Sequence, residues 1–219
     1  MSNPKHLTAW YNQDTDETHT PKARMVYPNL LEPRAMKGDT TAKPKYSVSL
    51  LLPKASNIDA VKKLVVEKAE AEFGKQWQTK RLRLPLLKTA DFEKLADYAE
   101  AFPIFIRASA NPDFPPFIFG PDAKQFSGDA SDIYSGRWAV ASVRAYAYDT
   151  AGNKGVALGL QRIQLLDHDE AIAGGRVATA SGFEAVDVGS PSEAFTTDDV
   201  FGLNDKAAKR NKLDDEIPF

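Results

Sequence analysis

Between Arg137 and Tyr148 the residues alternate by type. Trp138, Val140, Ser142, Arg144, Tyr146 and Tyr148 fall on one face of an extended strand, and Ala139, Ala141, Val143, Ala145 and Ala147 on the other. Aromatic rings and a guanidinium at a spacing of two suit one chemistry in particular. Rings stack on unpaired bases while cations hold phosphates, and stacking contributes ~1–3 kcal/mol per base whatever the sequence. Ile104 to Ala110 repeats the pattern, with Phe105, Arg107 and Ser109 opposite Ile104, Ile106 and Ala108. A strand buried on both faces would also carry such rings, but Arg107 and Arg144 would then need buried partners.

The basic residues are clustered. Lys22 to Lys54 holds seven bases, Lys43 and Lys45 among them, against two acids. No acid lies between Lys75 and Ala90, where Trp77 sits among Lys75, Lys80, Arg81, Arg83 and Lys88. The net charge of -2 hides this, because the segment from Ser192 onward has seven acids and four bases, leaving 24 bases against 23 acids before it. Phosphate contacts act over about a Debye length, so local clusters outweigh the total. The candidate single-strand contacts are therefore Lys43, Lys45, Trp77, Lys80, Arg81, Arg83, Phe105, Arg107, Trp138, Arg144, Tyr146 and Tyr148.

Catalysis has less to work with. There is no cysteine, and the three histidines are His6, His19 and His168. Asp167-His-Asp-Glu170 has no second ligand cluster at useful spacing and reads as an acidic loop at a strand end. Gly152-Asn-Lys-Gly155 lacks the full phosphate-loop pattern and leads into a strand. The acids are scattered, without the converging carboxylates of a two-metal nuclease on any expected strand. No catalytic residue, metal or cofactor is expected, and the chain reads as a binder; a metal-dependent nuclease is the weaker alternative.

The elements that must position these residues are mainly strands with helical insertions, an α+β chain. Arg24 to Pro33 reads as a strand interrupted at Pro28, and Lys45 to Pro53 as a strand ending in an apolar run. Ser56 and Asp59 form a capping-box-like start to a helix reaching about Gln78, with Val61, Val65, Ala69, Phe73 and Trp77 on its buried stripe. A second helix is expected near Asp91 to Ala99, a strand at Ile104 to Ala110, and a proline-rich loop from Asn111 to Asp132. Arg137 to Tyr148 and Lys154 to Leu166 pair as a hairpin, with Gly152-Asn153 suiting the turn. A short helical candidate follows near Phe183 to Val186. The expected organisation is a flexible N-terminal arm (1–21), a binding domain (22–190) and an acidic flexible tail (191–219). No apolar run approaches the ~20 residues of a membrane span. The polar stretch Met1 to Thr20 has no secretory or transit pattern, and the absence of cysteine fits a reducing cytoplasm.

The chain closes on Asp214-Asp215-Glu216-Ile217-Pro218-Phe219. A phenylalanine with a free carboxylate, beside three acids and stiffened by a proline, is suited to an apolar pocket ringed by Arg or Lys on a partner. The peptide resembles the C-terminal peptide of bacterial single-stranded DNA-binding proteins, Asp-Asp-Asp-Ile-Pro-Phe, at five of six positions. The body resembles a phage family catalogued as domain of unknown function 2815, through Arg24-Met-Val-Tyr-Pro-Asn-Leu-Leu-Glu-Pro33, Tyr46-Ser-Val-Ser-Leu-Leu-Leu-Pro-Lys54, Ala141-Ser-Val-Arg-Ala-Tyr-Ala-Tyr148 and Gly152-Asn-Lys-Gly-Val-Ala-Leu-Gly-Leu-Gln161. The resemblance implies an OB-fold-like β-barrel that binds single-stranded DNA in phage replication, recombination or repair, in the cytoplasm of the infected host. It implies partners of the polymerase, helicase or primase class reached through the tail. A strand-annealing recombination protein is the nearest alternative, and the oligomeric state is left open. One feature departs from a simple OB barrel: the long helix follows the second expected strand rather than the third, leaving either an additional strand near 34–43 or insertions at 56–100 and 111–132.

Overall fold

The computed structural model describes residues 4–35, 43–150 and 153–172. Among the described residues nine strands form one sheet: β1 (Trp10–Asn12), β2 (Glu17–His19), β3 (Ala23–Arg34), β4 (Lys45–Leu52), β5 (Leu86–Lys88), β6 (Ile104–Ala110), β7 (Phe117–Phe119), β8 (Trp138–Thr150) and β9 (Asn153–Leu165). Five of them pair in a closed circuit. β3 pairs with β4, β4 with β6, β6 with β9, β9 with β8, and β8 returns to β3. Every pairing in the circuit is antiparallel except β6 with β9.

The alternation read from β8 holds. Ala139, Ala141 and Val143 turn inward with Val48, Leu50, Leu52, Ile106, Ala108, Leu158, Leu160 and Ile163 to form the main core. Small residues on β8 let its neighbours pack close, and α1 (Asp59–Phe73) covers the same core with Val61, Val65 and Ala69. The helix begins differently from the expected box. Asn57 Oδ1 accepts from the Asp59 amide at 2.8 Å, and Ser56 Oγ has no partner. An Asx turn therefore does the work expected of the Ser56–Asp59 pair.

Three other expectations change. Residues 10–19, expected in a free arm, form the β1–β2 hairpin, whose Thr18 and His19 pair with Val143 and Ser142 of β8. Glu17 holds it there: its buried carboxylate accepts from Ser142 Oγ and faces Arg162 at 3.6 Å and Arg144 at 4.0 Å. The helix expected at 91–99 is a pair of 3-10 turns, Thr89–Asp91 and Glu93–Tyr98. The proline-rich stretch after β6 contains β7, which pairs in parallel with Arg162 to Gln164 of β9. The additional strand considered near 34–43 falls largely outside the described residues, as do the turn residues 151–152, the helical candidate at 183–186 and the terminal peptide 214–219. No helix of the described residues is long and apolar enough to cross a membrane.

Candidate nucleic-acid interface

The outer face of the circuit is covered at one end and open at the other. At the covered end Val26, Leu51 and Phe105 pack with Leu95, Phe102 and Ile172, forming a second cluster beneath the 89–102 segment. At the open end the pairing register lays polar and small residues in a row. Asn29 of β3 pairs with Ser47 of β4, Ser47 with Ser109 of β6, Ser109 with Gly159 of β9, and Gly159 with Arg144 of β8. The next row begins with Val26–Ser49 and Ser49–Arg107, while Ala157 faces Tyr146 across β9 and β8. A path with small residues down its middle and rings or guanidinium groups beside them leaves backbone and stacking surface open together.

Arg107 stands at the boundary between the two ends. Its guanidinium lies 5.1 Å from the Phe92 ring centroid and 5.5 Å from that of Phe105, and these rings meet edge-on at 4.9 Å. Among the described residues it has no carboxylate within ion-pair distance. Loss of water against the rings lowers its pKa below the ordinary arginine value, with Tyr27 opposing that shift. The group stays charged, since arginine does not deprotonate in proteins. A cation supported by rings and lacking a protein anion is prepared for a phosphate.

Tyr27, Ser49, Phe92, Phe105 and Arg107 line a groove of about 240 Å³ together with Glu93, Lys94 and Leu95, so a carboxylate and an ammonium also face it. Tyr27 is exposed and has a φ of 52°, in the left-handed region that bulky side chains avoid. The register slips between Val26 and Asn29, and Ser135 Oγ accepts the Tyr27 amide at 3.0 Å, so the bulge aims the ring outward. The interruption at Pro28 was visible in the sequence; this consequence for Tyr27 was not. Phe114 and Phe117 were also missed as candidates, although both are exposed and Phe117 lies beside Arg162 in the β7–β9 register.

The basic segment reaches the interface through a backbone crossing. Arg83 bridges Gly155: its amide donates to Lys154 O at 2.9 Å, and its carbonyl accepts from Val156 at 3.0 Å. β5 then pairs with Ile104 to Ile106 of β6, so the segment wedges between the starts of β6 and β9. A side chain at Gly155 would collide with the Arg83 carbonyl and with Tyr148 Oη. Glycine here lets the crossing form and sets Arg83 across β9 from Tyr148 at the end of the hairpin.

The expected contact residues separate accordingly. Arg83, Arg107, Tyr146 and half-buried Tyr148 belong to the open face or its rim. Lys43 and Lys45 are exposed at the start of β4, beside the Ser47 row. Arg81 is exposed, as is Lys80, whose Nζ donates to Phe73 O at the end of α1. Arg144 is on the face but engaged, donating to Thr15 O at 2.6 Å and Asp16 O at 3.1 Å as it clamps the β1–β2 hairpin. Two rings, Phe105 and Trp77, are corrected, and Trp138 is covered in this structure rather than open. Phe105 is 0% exposed. Trp77 packs against the main core. Trp138 packs on the second cluster, with Lys22 Nζ 4.8 Å from its centroid and its Nε1 donating to Asp169 at 2.7 Å. Alternation located these faces, but it carries no information about what covers them.

Against this geometry the comparisons are consistent. The model of the family described as Enterobacter phage Enc34, ssDNA-binding protein matches residues 17–195. The structure titled single-stranded DNA-binding protein from bacteriophage Enc34 in complex with ssDNA is similar at 19% identity and a TM-score of 0.58, covering 78% of this chain and 96% of that one. A second structure, titled single-stranded DNA-binding protein from bacteriophage Enc34, gives 20% identity and a TM-score of 0.58 over 83% and 96% of the two chains. Gp2.5, a single-stranded DNA-binding protein encoded by bacteriophage T7, shares 14% identity at a TM-score of 0.51, over 71% and 94%. No curated protein matches the chain. With the model matched across most of its length, the chain belongs to the family of the Enterobacter phage Enc34 ssDNA-binding protein.

Proposed function

We propose that this protein binds single-stranded DNA, without strong sequence preference and without chemistry, across the open outer face of an OB-fold barrel. The observation that carries the reading is Arg107, supported on two rings and without a protein anion, in the groove that Tyr27 borders. The strand circuit, with its parallel β6–β9 pair, supports the OB assignment, and OB folds bind oligonucleotides over the face of their second and third strands, here β4 and β6. The helix following the second strand is then part of an insertion between β4 and β6. Bases stack on Tyr146 and Tyr27 while Arg107, Arg83, Lys43 and Lys45 track phosphates. A duplex, whose bases are already stacked, gains less from this face. The membership supports a role in phage DNA replication, recombination or repair in the host cytoplasm.

The test is anisotropy of labelled oligo-dT against a duplex of equal length at fixed salt. Oligo-dT binds more tightly, and Tyr146→Ala loses the ~1–3 kcal/mol of one stacked base, about five- to 150-fold in affinity, while Tyr146→Phe keeps it. Equal binding of duplex and single strand, or unchanged affinity in Tyr146→Ala, overturns the assignment.

The terminal peptide Asp214 to Phe219 is proposed to recruit replication proteins of the polymerase, helicase or primase class, on its resemblance to the bacterial peptide. Deleting residues 212–219 then preserves or strengthens oligo-dT binding and abolishes capture of those proteins. Capture that survives the deletion contradicts the recruiting role.

A further inference from the structure

After β9 the chain crosses back over the outer face from Leu166 to Ile172. The Leu166 amide donates to Trp138 O, the Trp138 amide to Asp167 O, and the Ile172 amide to Ser135 O, while the Ile172 side chain enters the second cluster. The strap lies directly on backbone: a side chain at Gly136, where φ is +117°, would collide with the Glu170 carbonyl. Between its ends the strap presents acids to a particular trio. Asp167 meets Lys22 Nζ at 2.6 Å, and one Asp169 carboxylate oxygen takes Arg24 Nη1 at 3.0 Å and Trp138 Nε1 at 2.7 Å. Lys22 and Arg24 lie 4.8 Å and 5.5 Å from the Trp138 ring centroid.

The layering has a direction. The Lys22 and Arg24 side chains are only 13% and 12% exposed, whereas those of Asp167 and Asp169 are 71% and 35% exposed. The acids occupy the solvent side of the cations, where a phosphate arriving from solution would sit. The trio lies at the covered end, in the row next to that of Arg107. Trp138 pairs with Arg24, Arg24 with Leu51 and Leu51 with Phe105, and Arg107 is two residues further along β6. Two cations beside an indole are the combination a single strand uses, and here protein carboxylates satisfy it.

We propose that Lys22, Arg24 and Trp138 form a second contact site for single-stranded nucleic acid, which Asp167 and Asp169 occupy in the free protein and which strand phosphates take over by displacing them. The site rests on the single-strand reading above and lengthens its path by one row. The carboxylates lie on the solvent side, where salt screens them, and can swing aside while Arg24 keeps its bonds from Nε to Gly136 O and from Nη2 to Glu170 O, which tie the strap.

The measurement is oligo-dT affinity against salt for the full chain and for Asp167→Asn/Asp169→Asn. Removing the competing carboxylates raises affinity several-fold, whereas Lys22→Gln/Arg24→Gln removes two phosphate contacts and makes the log–log salt dependence shallower by about 1.4, at about 0.7 per contact on a single strand. Glu70→Gln/Glu72→Gln, on exposed positions of α1, makes the same charge change as the strap variant and gains less. Unchanged affinity in the strap variant, an equal gain in the helix variant, or an unchanged slope in Lys22→Gln/Arg24→Gln overturns the proposal. Hydrogen exchange of the native chain gives a second readout that does not depend on a variant folding. The Glu170 amide is held by the Asp169 carboxylate and exchanges faster when oligo-dT is bound, while the Asp169 amide, held by Tyr134 Oη, does not change. Unchanged or slower exchange at Glu170 contradicts displacement. Arg107→Ala separates the two readings. If it loses affinity while the strap variant gains none, the second site fails alone; if it loses none, the outer-face reading fails.

Discussion

Arg107→Ala is expected to lower affinity for oligo-dT about ten- to a hundredfold, and Arg107→Glu further, with little change in the unfolding temperature. Charge-assisted hydrogen bonds to one phosphate contribute about 1.5–3 kcal/mol, and every 1.4 kcal/mol is a factor of ten. The salt dependence should become shallower by about 0.7, one phosphate's share on a single strand. The fold loses only the cation's contact with Phe92 and Phe105, about 0.5–1 kcal/mol at an exposed site. Arg107→Lys keeps the charge without the planar group and falls between. Titration over a salt series checks both quantities. Undiminished affinity with an unchanged slope would remove Arg107 from the interface.

Phe105→Ala is expected to cost about 3–5 kcal/mol of stability, the usual range for truncating a buried aromatic. The ring is fully buried, meets Phe92 edge-on at 4.9 Å and packs in the cluster with Val26, Leu51, Leu95, Phe102 and Ile172. That is a large part of the 5–15 kcal/mol by which a typical domain is stable. Urea unfolding should show a lower midpoint at a similar slope. A loss below about 1 kcal/mol, together with strongly weakened binding by folded protein, would return Phe105 to the stacking role its strand position suggested.

These neighbours on β6 show how far the sequence reaches. Period-two alternation located β4, β6, β8 and β9 closely, and the helical stripe of Val61, Val65 and Ala69 was placed on the core. Alternation assigns Phe105 and Arg107 to one face and stops there. The 89–102 segment that buries the first, and ends short of the second, carried only a helical expectation. Arg107 and Arg144 looked equivalent as outward guanidinium groups on strands. They differ because Thr15, Asp16 and Glu17, far away in the chain, meet Arg144 and not Arg107. Closure through β3 and β8 is likewise non-local: Ala23 pairs with Ala139, and no short window contains both. Tyr27 was hidden differently. Proline at 28 signals a break in a strand, but the aim of the preceding ring depends on a bulge and on Ser135.

The central claim, that a single strand runs across the outer face of β3, β4, β6, β9 and β8, is tested most directly by photo-crosslinking. Oligo-dT carrying 5-iodouracil at successive positions is bound to the full chain, irradiated and mapped by peptide mass. The account predicts crosslinks at Tyr27 and Tyr146, reduced by Arg107→Ala, with Trp77 and the exposed side of α1 unlabelled. Crosslinks confined to Trp77 and α1, with Tyr27 and Tyr146 untouched, would place the strand elsewhere and contradict it.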